Sequence, residues 1–466
     1  MKQTPTIDKN EIQAQREVMA LIRANVGGRG KKALVETYGC QQNVNDSQRL
    51  MGMLTEMGYA ITEDRDEADV ILMNTCAVRD NAEQRVFGNL GALKHLKARK
   101  PDLIIGVCGC MPQQEHIAER IKAKYRHVDL IFGTHALYRF PSLLAEALEH
   151  RSRVTDIGGE GAIAEGLPVL HEGGAKAFVS IMYGCNNFCS YCVVPYVRGR
   201  ERSRRAEDII AEVRELARRG VKEVMLLGQN VNSYGNDRGE TEAFTELLKQ
   251  VNEIDGIERI RFMSSHPKDI STSLLDAMAQ CDKVCNQLHL PLQSGSDKVL
   301  KDMNRRYTAQ RYEEIVDYAR KVMPDLSLTT DIIVGFPTET RRDFEDTLSV
   351  LEKIRFDSIF SFIFSPREGT PAAKMENAAT DEEKSEWFKE MLDLQNQVSA
   401  DINSRYVGQV QDILVEGESK HEPDMLSGRN YANKIVNFRG DISLKDKLVK
   451  VKITKAQTWI LYGELI

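Results

Sequence analysis

A chain of 466 residues, 42% hydrophobic and 28% charged, has the length of roughly two to four domains and ample material for their cores. Its formal net charge of −6 excludes a globally basic nucleic-acid binder, so any such surface has to be local. No signal-like start and no apolar run of about eighteen residues occurs, which predicts a cytoplasmic protein with no membrane partner. Its nine cysteines then read as reduced thiols or metal ligands.

Residues 1–30 carry a weak helical pattern (Ile12, Val18, Met19, Leu21, Ile22) that fades into Gly27-Gly28-Arg29-Gly30, and predict a mobile extension or a docked helix. From 31 to 150 apolar strand-like runs alternate with helical ones: strands near 33–37, 68–73, 103–107 and 128–132, with helices after each. Continuous apolar strands between helices predict a doubly wound parallel sheet covered on both faces. Residues 151–174, rich in glycine, predict a linker. From 175 to 402 a second βα series follows, with strands near 177–182, 223–227, 259–263, 286–290, 327–334 and 358–364. Six βα units are too few for a closed eight-stranded barrel and predict a partial, open one. Residues 403–466 hold short strands between turns and predict a small all-β barrel, with basic residues late in it (Lys445, Lys447, Lys450, Lys452, Lys455).

The chemistry centres on Cys185-Asn186-Asn187-Phe188-Cys189-Ser190-Tyr191-Cys192, three cysteines at C-x3-C-x2-C spacing in a loop after a strand. A tetrahedral zinc site wants four ligands. Three close thiolates suit a cubane iron–sulfur cluster with one iron open to a small molecule. A second trio follows from topology: Cys40, Cys76 and Cys110 each come just after an apolar strand, 36 and 34 residues apart, about the length of a βαβ unit. In a parallel sheet those loops gather on one edge, where ligands bind, so this trio is expected to converge as another three-thiolate site rather than stand as unrelated thiols. Cys108 reads as a packed core thiol, and Cys281 and Cys285 as isolated thiols without further ligands near them in sequence. Gln229, Asn230, Gln293 and Asp331 are polar strand-end candidates for cofactor contacts, against a bland role in capping backbone. Arg198, Arg200, Arg202 and Arg204, within five arginines in eight residues, are candidates for phosphate contacts, against a solvated face.

The loop resembles the radical S-adenosylmethionine (SAM) superfamily, and the three pieces together resemble its methylthiotransferase family, from about residue 31 onward. The resemblance rests on Tyr38-Gly39-Cys40-Gln41-Gln42-Asn43-Val44-Asn45-Asp46-Ser47, Asn74-Thr75-Cys76, Gly109-Cys110-Met111-Pro112-Gln113 and the Cys185/Cys189/Cys192 loop. It implies an N-terminal cluster domain, a radical SAM core and a C-terminal TRAM domain. It implies two 4Fe-4S clusters, one on Cys185, Cys189 and Cys192 that cleaves SAM and an auxiliary one on Cys40, Cys76 and Cys110 that supplies sulfur. Tyr191 stands where the superfamily places an aromatic near the SAM adenine. The first motif and the run from Val194 to Arg204 are most similar to the MiaB type, which thiomethylates C2 of N6-isopentenyladenosine in tRNA; Gln42 departs from the Met commoner there. The expected partners are then a tRNA anticodon stem-loop carrying that base and an electron donor, flavodoxin or ferredoxin being the candidates, and the expected state a monomer. The alternatives are a methylthiotransferase acting on threonylcarbamoyladenosine tRNA or on a ribosomal-protein aspartate, and a non-catalytic iron–sulfur RNA-binding protein.

Overall fold

The computed structural model describes residues 4–77, 80–171 and 173–466, with backbone alone at 80–82. Residues 1–3 of the expected extension and residue 172 of the expected linker lie outside the described residues. The first domain is a six-stranded parallel sheet in the order β2-β1-β3-β4-β5-β6, with β1 Lys32–Tyr38, β2 Ala60–Ile61, β3 Val70–Thr75, β4 Ile104–Gly109, β5 Leu130–Gly133 and β6 Val154–Asp156. Every position of β3 and β4 is buried, because helices cover both faces and split the core in two. β6 is a difference from the expected linker: residues 154–156 pair with Leu130–Phe132 and complete the sheet. The expected extension is a docked helix, α1 (Lys9–Val26), capped by the Asp8 carboxylate. It buries Ile12, Met19 and Ile22 against Leu50, Leu54 and Phe140.

The central domain holds two three-stranded parallel sheets. One is β7 (Lys176–Ser180), β10 (Glu223–Leu227) and β11 (Arg259–Phe262); the other is β12 (Gln287–His289), β13 (Ser327–Val334) and β14 (Ser358–Ile363). A parallel bridge between Ile260 and Val284 joins them in chain order, giving the open six-stranded barrel. Ala177, Val179, Val224, Leu226, Ile260, Leu288, Leu328 and Ile332 pack outward under the helices, so the alternate residues line the lumen. A short antiparallel hairpin, β8 (Met182–Tyr183) with β9 (Arg202–Ser203), was not legible in advance; it ties the cysteine loop to the arginine-rich segment.

The last domain closes as a five-stranded barrel, β15 (Val410–Glu418), β16 (Leu426–Arg429), β17 (Ile435–Phe438), β18 (Leu448–Ala456) and β19 (Ile460–Leu465). It docks where the central strands begin. The buried Arg259 guanidinium donates to the carbonyls of Arg429 and Asp412 (both 2.7 Å) and Arg261 to those of Asn430 and Tyr431 (2.7 and 3.0 Å), with Glu223 3.1 Å from Arg261 Nε. Lys434 pairs with Asp357 at 2.7 Å just before β14. The carboxyl ends of the strands, with the cysteine loop, are left to the first domain.

Candidate active site

Parallel strands β1, β3 and β4 deliver Cys40, Cys76 and Cys110 to one edge. Cys40 stands at the N-cap of α2 (Gln41–Glu56), which starts at once after it. Gly39, at φ +153°, has no room for a side chain: a Cβ there would lie 2.6 Å from the Cys76 Cβ. The motif asparagines hold this edge from below. Asn43 Nδ2 donates to Asn74 Oδ1 (3.2 Å) and the Thr75 carbonyl (3.1 Å), and Asn74 Nδ2 donates to the Asn43 carbonyl (2.8 Å) and Ser47 Oγ (3.0 Å). The Cys110 N–H donates to the Thr75 carbonyl at 2.8 Å, tying the second and third cysteines together.

A hydrogen bond to Cys76, with Arg198 nearby, brings the solvent-reaching Cys40 thiol down to about 6, so it is a thiolate at neutral pH, as iron ligation requires. Burial instead pushes Cys110 up to about 11. Cys108 sits fully buried in the sheet core.

The second trio lies on a loop whose shape is fixed by its neighbours. Gly184 at φ +75° lies so close to the Arg200 carbonyl that a Cβ would approach within 2.1 Å of it. The Cys185 N–H donates to the Gly199 carbonyl (3.1 Å), and Asn186 donates to Glu201 through its N–H (3.2 Å) and Nδ2 (3.3 Å). Ser190 is held by the carbonyls of Met303 and Asp302. Burial pushes the Cys185 thiol up to about 11 and Cys192 up to about 12. Arg305 is the cation here, and sequence reasoning missed it. Its Nη1 lies 3.5 Å from Cys189 Sγ while Nη2 donates to the Pro291 carbonyl (2.7 Å) and Nε to Tyr307 Oη (2.9 Å).

Arg198 ties the segment after the cysteine loop to the auxiliary edge. Buried at the interface, it donates from Nε to Cys110 Sγ (3.2 Å) and from Nη2 to Asp46 (2.7 Å). Around it Ala77, Cys110, Val193 and Val197 form a small apolar cluster shared by both domains, and Gln42 Nε2 donates to Ser180 Oγ (2.8 Å). Among the described residues no three His, Cys, Asp or Glu side chains converge on one point, the arrangement of a mononuclear site. A cubane takes its thiolates at separate corners.

Residues 179–351 match the Radical SAM superfamily, residues 32–133 the Uncharacterized protein family UPF0004 and residues 404–466 the TRAM domain. The chain is 54% identical over 440 residues to the tRNA-2-methylthio-N(6)-dimethylallyladenosine synthase of Acetivibrio thermocellus, covering 94% of this chain and 92% of that one. It is 52% identical to the enzyme of the same name from Alkaliphilus oremlandii, covering 99% and 98%. The chain belongs to the tRNA-2-methylthio-N(6)-dimethylallyladenosine synthase family. Its fold also resembles that of the radical S-adenosylmethionine methyltransferase TsrM from Kitasatospora setae, with a TM-score of 0.52 at 12% identity over 82% of this chain and 78% of that one. Radical SAM membership implies a 4Fe-4S cluster and SAM, and three thiols on a loop with a buried arginine beside them suit such a group.

In this synthase-family chain the other expected site residues are spread round the barrel mouth. Tyr191 packs with Met303 and Phe336. Gln229 is half-buried, and Asn230 donates to Asp269 at 2.7 Å but leaves its own buried Oδ1 without a partner. Gln293, at φ +73°, donates its N–H to the Asp331 carbonyl (2.8 Å), and Asp331 Oδ1 lies 3.5 Å from His289 Nε2. Ser265 and His266, just beyond β11, each have a buried atom without a partner, and burial holds His266 neutral, down to about 2.

The phosphate reading fails for three of the four arginines. Arg198, Arg202 and Arg204 are 4%, 7% and 3% exposed. Arg204 pairs with Glu165 (2.6 Å) and Glu212 (2.7 Å), and Arg202 donates to the carbonyls of Arg200 and Arg198. The β8–β9 hairpin folds this segment inward, which a count of charges does not show. Arg200 alone is exposed, over the Phe188 ring at 4.4 Å. Among the described residues no helix is long and apolar enough to cross a membrane.

Proposed function

We propose that this chain is a radical SAM methylthiotransferase that converts N6-isopentenyladenosine (N6-dimethylallyladenosine), at position 37 of tRNA, to its 2-methylthio derivative. The observation that carries the reading is Arg198: six residues after Cys192, it donates to the sulfur of Cys110, so the segment that follows one cysteine trio is anchored on a thiol of the other. Cys185, Cys189 and Cys192 would hold the cluster that binds SAM, and Cys40, Cys76 and Cys110 a second cluster. When bound, the clusters and SAM supply the electron, the hydrogen-abstracting radical, the sulfur and the methyl group, none of which a side chain can provide.

The chain's own residues position and exclude. Arg198 with Asp46 orients the auxiliary edge toward the barrel mouth. Arg305 places a fixed positive charge beside Cys189, where it stabilises a ligated thiolate. Neutral His266 and Asn230 offer buried polar atoms to a ligand in the mouth. The TRAM barrel, docked at the other end, keeps its basic strand β18 on the outside, where Lys450, Lys452 and Lys455 are exposed to an RNA backbone.

Mass spectrometry of tRNA nucleosides from a strain lacking this gene, with and without complementation, tests the reading. The methylthio nucleoside is expected to vanish and return; its persistence in the deletion strain contradicts the proposal.

A further inference from the structure

The last strand of the central barrel ends Phe360-Ser361-Phe362-Ile363-Phe364, with aromatic rings at alternate positions and therefore on one face. That face is the inward one. Ile359 packs toward the helix-covered core, whereas the Phe360 ring meets His289 edge-on (5.5 Å, 82°) in the lumen. Phe364 meets Phe336 (5.5 Å, 73°) within the apolar cluster that includes Tyr191 and Met303. The stripe thus runs from mid-lumen up to the residue preceding Cys192.

Two of its rings are left bare. Phe360 is 49% and Phe362 45% exposed, although both lie on a barrel's inner face and on an edge strand. Exposed paired aromatics at such a place mark a binding surface more often than a solvated one. Their strand partners are Asp331 and Ile333. The remaining inward positions of β12–β14 are Gln287, His289, Ser327, Thr329 and Ser358, so no lysine or arginine stands on this wall. A carboxylate-bearing base would find no counter-charge there, while a hydrocarbon would find two rings.

We propose that Phe360 and Phe362 form the platform on which the dimethylallyl-bearing adenine of the RNA lies, and that they select this uncharged group over bare or carboxylated adenosine. The inference rests on the functional reading above. Stacking on the base holds any adenosine, whereas burial of the five-carbon group is expected to give at least about tenfold discrimination.

The test uses the reconstituted holoenzyme and anticodon stem-loop RNAs carrying dimethylallyladenosine, adenosine or threonylcarbamoyladenosine, with affinity read by fluorescence anisotropy. Wild type is expected to bind the dimethylallyl RNA about tenfold or more tighter than the other two. In Phe360→Ser/Phe362→Ser the ratio is expected to fall to near one, with affinity for unmodified RNA lowered less than that for the dimethylallyl RNA and affinity for SAM unchanged. An undiminished ratio overturns the platform, and so does loss of SAM affinity in its place, since the face would then serve SAM. If the double variant does not assemble with full iron, Phe362→Ser alone carries the test: a several-fold drop supports the proposal and an unchanged ratio overturns it. Turnover by wild type separates the two readings. No methylthio product from dimethylallyl RNA fells the functional reading, whereas product alongside undiminished discrimination in the variants fells only the platform.

Discussion

Cys185, Cys189 and Cys192 occupy eight consecutive residues, whereas Cys40, Cys76 and Cys110 are spread over seventy-one. The compact trio is set by one loop, with a positive-φ glycine and braces from Gly199, Glu201, Asp302 and Met303; the dispersed trio exists only because three parallel strands end on the same edge. Their thiols differ accordingly. The N-terminal trio holds one thiol brought down to about 6, on a helix cap that reaches solvent, while Cys185 and Cys192 are buried and pushed up to about 11 and 12. Cys110 in the dispersed trio is pushed up to about 11 as well, so it is the place of Cys40 at a helix start beside Cys76 that sets it apart.

Removing one ligand breaks the comparison most sharply. Cys76→Ala is expected to lower the iron content of the reconstituted protein from about eight to about four per chain, with SAM cleavage retained. A second, smaller effect concerns the Arg198 guanidinium. Arg198→Met leaves Asp46 charged and buried without its partner, which is expected to cost about 3–5 kcal/mol in denaturant unfolding, much of it recovered in Arg198→Met/Asp46→Leu. Gly184→Ala tests the local site alone: a left-handed residue against a backbone carbonyl is expected to cost about 2–4 kcal/mol and to leave the auxiliary iron in place.

The smallest effect is one of pH in the cluster-free protein. Cys40 is an acid whose folded pKa, about 6, lies below its unfolded value of about 8.5. Its thiolate therefore stabilises the fold fully above pH 8.5 or so, and that contribution is lost as pH falls through about 6. Cys185 and Cys192 run the other way: burial raises them, so their contribution is complete below the unfolded value and is lost as pH climbs toward 11 and 12. Alkylation mapped by mass spectrometry is expected to label Cys40 with a midpoint near pH 6 while both loop cysteines stay protected at neutral pH.

The alternation of apolar strands and helices was enough to read the parallel sheet, the open barrel and the edge that gathers Cys40, Cys76 and Cys110, because period and strand-end position are local properties of the sequence. What escaped is what depends on partners far away. β6 is held by residues more than twenty positions off, so segment 151–174 looked like linker, and for the same reason residues 1–30 left a mobile extension and the docked helix α1 both open. Arg198, Arg202 and Arg204 looked like a phosphate-binding run because their burial is set by the β8–β9 hairpin and by Asp46, Glu165 and Glu212. Arg305 carried no signal at all, lying outside every motif and meeting Cys189 only in the fold. Gly39 and the Asn43–Asn74 pair stood inside quoted motifs, yet their roles as spacer and brace needed the geometry.

The central claim is that two different three-cysteine sites serve one reaction at a shared interface. Nucleoside analysis of tRNA incubated with the Cys40→Ala and Cys185→Ala enzymes, with deoxyadenosine release measured in the same reactions, tests it most directly. Both variants are expected to lose 2-methylthio product, and only Cys185→Ala to lose deoxyadenosine release. Full methylthiolation by Cys40→Ala would contradict the account.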